Sequence, residues 1–208
     1  MDTRIIKTAY GTVHARMEGS GPAAIFIAGR VPPLDTWQCW AANLSEVAAA
    51  GFRVIALDLP GFGAAARPDG PISTESAVDC VLELFDRLPL PRAALVGHKW
   101  GGLIAWRASL IDKSRVSKLV LVAAEGAAQL RGSLSGELSL RTLIVWAQDD
   151  PVQPVTDAAL FAEALPNARR HIFPGRGAGG DQPALNHPEA PQLAGKVFNK
   201  ILIQFLKD

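Results

Sequence analysis

Residues 95–102 read Leu-Val-Gly-His-Lys-Trp-Gly-Gly. An apolar run, Ala93 to Val96, enters a Gly-x-Lys-x-Gly turn, and helix-forming residues follow. A side chain at such a turn is lifted off the strand and stands over the N-terminus of the next helix, so Lys99 is placed to meet a ligand. An amine there has two chemistries. Neutral, it attacks a carbonyl carbon and forms an imine; charged, it holds an anion or stabilises an enolate. Lysine is charged at neutral pH unless its surroundings strip away its water. Few other groups could do chemistry. His14 and His171 fall in outer strands, and His98 reads as a packed histidine. Cys39 and Cys80 fall in helical stretches and read as two buried, reduced thiols. No His, Cys, Asp or Glu spacing resembles a metal site, and no Gly-x-Gly-x-x-Gly follows the first strand. Neither metal nor cofactor is expected.

The elements that must position Lys99 follow from the apolar pattern. Arg4 to Lys7 and Thr12 to Met17 alternate around Tyr10-Gly11, which predicts an antiparallel hairpin. Strands are predicted at Ala23 to Ala28, Phe52 to Leu57, Val116 to Ala124, Arg141 to Ala147 and Arg169 to Phe173. Helices are predicted at Thr36 to Ala50 (closed by Gly51), Ser73 to Leu88 (capped by Ser73 or Thr74), Val155 to Leu165 and Pro191 to Leu206. Strands alternating with helices give an α/β fold with a mostly parallel sheet, covered on both faces, and an antiparallel edge from the hairpin. With 208 residues, 49% hydrophobic and 20% charged, one domain over residues 1–208 is expected. The formal net charge is +1, spread along the chain. No basic stripe or acidic tail points to nucleic acid or a membrane surface, and no apolar run is long enough to span a bilayer. Met1-Asp2-Thr3-Arg4 opens a strand pattern, not a signal-peptide run, so a cytoplasmic protein is expected.

Five further motifs stand in order around the elbow. Ile25-Phe26-Ile27-Ala28-Gly29 is a strand ending in Ala-Gly, with Trp37-Gln38 after it. Ala56-Leu57-Asp58-Leu59-Pro60-Gly61-Phe62-Gly63 is a strand ending in Asp-x-Pro-Gly-x-Gly. Leu143 to Ala147 runs into Gln148-Asp149-Asp150-Pro151, and Pro174-Gly175-Arg176-Gly177 follows the last strand. Together they resemble the α/β-hydrolase superfamily along nearly the whole chain. In size, and in the Trp37-Gln38 pair, the chain is similar to small capless members of the α/β-hydrolase-domain-containing type 14. Only 125–140 is available where relatives carry a lid, with room for a short helix at Ala127 to Arg131. The site is therefore expected to be open unless a partner subunit, as in a homodimer, covers it.

The resemblance assigns roles and exposes departures. Lys99 stands where the family has a nucleophilic serine. Asp150 falls at the acid position. The base position lands on Ala178 to Gly180, none of which transfers a proton. His187, in Asn186-His187-Pro188-Glu189, lies a few residues on and reads as a helix-leading surface residue, unless the glycine run folds it back into the site. The oxyanion loop has Ala28 and Arg30 around Gly29, and the backbone N–H groups of Arg30 and Trp100 are expected to converge there. With the histidine gone, Lys99 is expected to cross the gap and pair with Asp150. At ~4 Å such a pair is worth ~4 kcal/mol at an effective dielectric of about 20, against ~0.3–1 kcal/mol of opposition from the helix terminus.

Three functions follow. The first is a small-molecule enzyme of non-hydrolytic type (lyase, aldol, decarboxylase or cyclase). It would use Lys99 as cationic acid or amine on an anionic or carbonyl-containing substrate. The second is an inactive relative that binds a ligand or partner. The third is weak ester or thioester hydrolysis through Asp150 and His187.

Overall fold

Five consecutive strands are apolar on both faces: β3 (Ala23–Ile27), β4 (Arg53–Asp58), β5 (Ala93–His98), β6 (Val116–Val122) and β7 (Thr142–Ala147). Alternation splits them between two cores. Ile25, Leu57, Leu95, Leu121 and Trp146 join α2 (Thr74–Arg87), α3 (Trp100–Ile111) and α4 (Val155–Ala164) on one side. Phe26, Ala56, Val96, Val122 and Val145 join α1 (Thr36–Ala49) and α5 (Lys196–Lys207) on the other. Burial on both faces is why these strands read as continuous apolar runs. The computed structural model describes residues 2–29, 35–66, 70, 72–130, 138–174 and 196–208.

The eight strands form one sheet in the order β1-β2-β4-β3-β5-β6-β7-β8, where β1 is Asp2–Thr8, β2 is Gly11–Glu18 and β8 is Ala168–Phe173. The hairpin pairs antiparallel from Asp2↔Met17 to Thr8↔Gly11, and β2 lies antiparallel on β4; all later pairs are parallel. The expected α/β fold is the observed one. Its hairpin arms extend beyond the alternating residues because the ladder closes to the turn itself. Ser73, not Thr74, caps α2, accepting from the Ser76 N–H. The expected helix from Pro191 is described from Lys196 onward, and 191–195 lie outside the described residues. Between β6 and β7 the regular structure among the described residues is one 3-10 turn, Ala127–Leu130. Among the described residues no helix is long and apolar enough to cross a membrane.

The chain leaves β3 toward β4, then crosses back to place β5 on the other side of β3. Helices α1 and α2 therefore cover opposite faces, and a crevice opens between the carboxyl ends of β3 and β5. In an open α/β sheet that reversal of strand order is where ligands bind. Gly29 follows β3 and Lys99 follows β5, so both stand at the crevice.

Candidate functional site

Lys99 is forced into its position. It caps α3 at φ 50°, ψ −119°, a backbone conformation that costs a non-glycine residue about 1–3 kcal/mol. The surrounding backbone holds it there. The Lys99 N–H donates to Val122 O at 3.0 Å, and its carbonyl accepts from the Gly102, Leu103 and Glu125 N–H groups at 2.9, 3.2 and 3.0 Å. Helix and strand can approach because Gly101 has no side chain: a Cβ there would stand 2.3 Å from the Ile27 carbonyl oxygen. Trp100, the first residue of α3, is locked by its indole N–H donating to Thr74 Oγ1 at 3.1 Å and by its ring lying 5.1 Å from that of Phe62. Amides of a helix's first turn point away from the helix, here toward the crevice.

The half-buried Lys99 side chain leans toward β3 and α1. Its stem passes Gly29, where an added Cβ would lie 2.9 Å from Lys99 Cβ and 3.6 Å from Cδ. Its charge acts on the Cys39 thiol of α1, as do the charges of Asp35 and Asp58. Burial first, then the two carboxylates, push that thiol up to about 12; Lys99 opposes them. These carboxylates are built into the fold. Asp58, at the tip of β4, accepts from the Thr36 N–H at 2.7 Å and the Ala64 N–H at 3.1 Å. Asp35 caps α1 in a reciprocal box with Gln38 and pairs with Arg16 at 2.9 Å. Sequence reasoning passed over this acidic pocket wall. The Asp35-x-x-Gln38 spacing is a capping-box signal that could have found one half of it.

The expected Lys99–Asp150 ion pair is not among the described contacts, and this corrects the sequence reading. Asp150 follows β7, two strands beyond β5, whereas Lys99 leans over β3 on the other side. Asp150 Oδ1 is occupied by its own turn, accepting from the Val152 and Gln153 N–H groups at 2.9 and 2.8 Å. Its Oδ2 is buried and has no hydrogen-bond partner among the described residues, a state that costs about 1–3 kcal/mol. Arg30 and His187 lie outside the described residues, and with Arg30 the second amide of the expected oxyanion pair. His98 is half-buried, its ring edge-on to Trp40 at 6.3 Å. Cys39 and Cys80 are buried free thiols, as expected. Among the described residues no group of His, Cys, Asp and Glu could hold a metal ion.

The site thus offers a lysine at a strained turn, helix-terminal amides beneath it, two carboxylates that act with it on the Cys39 thiol, and, on Asp150, a buried carboxylate oxygen with no partner among the described residues. It can bind an anion or an electron-rich oxygen. The family model for the alpha/beta hydrolase fold matches residues 25–135. An epoxide hydrolase 2 of Siraitia grosvenorii is 38% identical over 110 residues, 52% of this chain and 34% of that protein. A bifunctional epoxide hydrolase 2 of Rattus norvegicus is 34% identical over 102 residues, 47% of this chain and 18% of that protein. The chain thus spans about a third of the length of the first of these curated relatives and less than a fifth of the second. A solved meta-cleavage product hydrolase from Pseudomonas fluorescens superposes with TM-score 0.80 at 20% identity, covering 98% of both chains, a likeness of fold. The matched span, the strand order and the strained turn after β5 agree: the chain belongs to the alpha/beta hydrolase fold family.

Proposed function

We propose that this protein is a small-molecule enzyme of non-hydrolytic type in which Lys99 works as a fixed cation. One observation carries the reading. A lysine occupies the strained turn at the strand-order reversal, with its stem against Gly29 and its charge reaching the Cys39 thiol of α1. An ammonium cannot attack carbon, but it can donate to an oxygen on which negative charge develops. A substrate oxygen, of a carbonyl or a strained cyclic ether, would accept a hydrogen bond from Nζ, backed by the Trp100 amide and that of Arg30. In a carbon–carbon cleavage the bonding pair would pass into an enolate as CO2 or an aldehyde departs, and Nζ–H would hydrogen-bond and then protonate that enolate; in ring opening, a hydroxyl of the same substrate would form the new carbon–oxygen bond as the ether bond breaks, giving its proton to a carboxylate while Nζ–H protonates the released alkoxide. The epoxide hydrolase names of the relatives make a cyclic ether the first substrate class to try. Asp150, with Oδ2 uncommitted, is the candidate acceptor for a substrate hydroxyl or N–H. The single domain without a cap, the relation to small type-14 members and the cytoplasmic setting remain parts of the same proposal.

A second reading, ligand binding without turnover, is favoured by the separation of Lys99 from Asp150. The two part experimentally. Wild type and Lys99→Met are incubated with a panel of epoxides, β-keto acids and enol esters, and products are followed by NMR. Turnover that vanishes in Lys99→Met supports the enzyme. Binding without turnover supports the second reading. Simple ester hydrolysis that survives in Lys99→Met contradicts both.

A further inference from the structure

Asp58 stands at the carboxyl tip of β4, is 3% exposed, and engages backbone with both of its oxygens. Oδ1 accepts from the Thr36 N–H, at the start of α1, and Oδ2 from the Ala64 N–H, in the loop that follows β4. The two segments belong to opposite faces of the sheet. Helix α1 packs in the core on the α5 side, whereas the loop sends Leu59 and Phe62 into the core on the α2 side. One buried carboxylate therefore ties both walls of the crevice, through charge-assisted hydrogen bonds. The fit on the loop side is close. Gly63 has φ 52°, and a Cβ there would stand 2.4 Å from Asp58 Cγ, so only glycine is accommodated.

The loop itself is tightly knit. The Phe62 N–H donates to the Leu59 carbonyl at 2.9 Å, the Ala65 N–H to the Phe62 carbonyl at 2.9 Å, and the Gly61 N–H to the Ala66 carbonyl at 3.0 Å. A shift at Ala64 is therefore passed to Phe62. The Phe62 ring lies 5.1 Å from that of Trp100, tilted by 43°, within the range of a favourable aromatic pair. Trp100 is the first residue of α3 and the chain neighbour of Lys99. Contacts thus run from Asp58 through Ala64, the loop and Phe62 to the residue whose amide stands beside Lys99. The motif Asp58-x-Pro60-Gly61-x-Gly63 marks a turn in the sequence, and this route appears only once the chain is folded.

We propose that Asp58 is a positioning residue of the candidate site: it holds the loop so that Phe62 braces Trp100, and so fixes the amide that shares a bound oxyanion with Lys99. The inference rests on the reading of Lys99 as the oxyanion-holding group. Asp58 touches no substrate and acts through Phe62 and Trp100. An amide in its place would keep one acceptor and set an NH2 group against the other backbone N–H, so Asp58→Asn loosens one wall without removing bulk.

The test compares wild type, Asp58→Asn, Phe62→Ala and the double variant by two readouts. The first is the indole N–H resonance of Trp100, assigned by its loss in Trp100→Phe. Asp58→Asn is expected to shift it more than the indoles of Trp106 and Trp146, and to shift it little further once Phe62→Ala is present. The second is calorimetric titration with methylphosphonate. Each single variant is expected to bind several-fold more weakly than wild type, and the double variant no more weakly than the worse single one, because residues acting in one chain of contacts are non-additive. The same spectra report folding; if Asp58→Asn loses dispersion, Gly63→Ala, whose methyl meets the same carboxylate, replaces it. An unmoved Trp100 indole, or effects of Asp58→Asn and Phe62→Ala that simply add, would overturn the proposal. Wild type that fails to bind methylphosphonate would overturn the reading of Lys99 instead, and the indole readout would then decide the role of Asp58 by itself.

Discussion

Lys99 and Gly29 touch across the carboxyl ends of neighbouring strands: a methyl group at position 29 would stand 2.9 Å from Lys99 Cβ, 3.3 Å from the His98 carbonyl oxygen and 3.6 Å from Lys99 Cδ. The absence of a side chain at 29 is what lets the lysine lean toward α1. Gly29→Ala must move the Lys99 stem, because backbone closes the space behind the new methyl. The expected cost is about 1 kcal/mol of stability, since overpacking of this kind runs at roughly 1–3 kcal/mol. Binding of anions at Lys99 should weaken with it. Thermal unfolding and an anion titration on the same variant check both.

Removing the lysine should stabilise the protein. At φ 50° Lys99 carries backbone strain that glycine does not. Lys99→Gly should relieve about 1 kcal/mol and raise the melting temperature by roughly 2–4 °C for a chain of this size. Activity on any substrate that wild type turns over should disappear. Lys99→Ala, which keeps a Cβ, should stabilise less.

Asp150 holds its turn with one oxygen, and the other has no hydrogen-bond partner among the described residues. Asp150→Ala removes the acceptor for the Val152 and Gln153 N–H groups and should cost about 1–2 kcal/mol. Asp150→Asn keeps Oδ1 as acceptor and should fold nearly as well as wild type. Without a Lys99–Asp150 pair, the effects of Lys99→Met and Asp150→Asn on stability should add within about 0.5 kcal/mol. A denaturation cycle over the four proteins measures this, and a coupling well above that margin would restore the ion pair.

The Cys39 thiol gives a pH signature. Its folded value is raised to about 12 from a reference of 9.0. The folded state keeps the proton where the unfolded chain loses it. Stability from this group is therefore complete below about pH 9 and is lost as pH rises toward 12, with a limiting slope of about 1.4 kcal/mol per pH unit. Denaturation curves between pH 8 and 11 should fall more steeply for wild type than for Cys39→Ala. Iodoacetamide should leave Cys39 unlabelled in folded protein at pH 8.

Much of the architecture was legible because both sheet faces are buried. Runs such as Ala23–Ile27 and 143–147 are apolar at every position, and the Gly-x-Lys-x-Gly turn marks the elbow between β5 and α3. The direction of the Lys99 side chain was not legible. It depends on strand order, which puts Gly29 beside Lys99 and Asp150 two strands away. Asp35 and Asp58 were passed over in sequence, yet their charges and that of Lys99 all reach the Cys39 thiol.

Lys99 is proposed here as the group that holds an oxyanion at the β3–β5 crevice. Calorimetric titration with methylphosphonate, a small oxyanion without an apolar body, tests it most directly on wild type, Lys99→Arg and Lys99→Met. The account predicts that Lys99→Arg binds within a few-fold of wild type and that Lys99→Met binds roughly tenfold or more weakly, the loss of one charge-assisted hydrogen bond. Equal binding by wild type and Lys99→Met would contradict it.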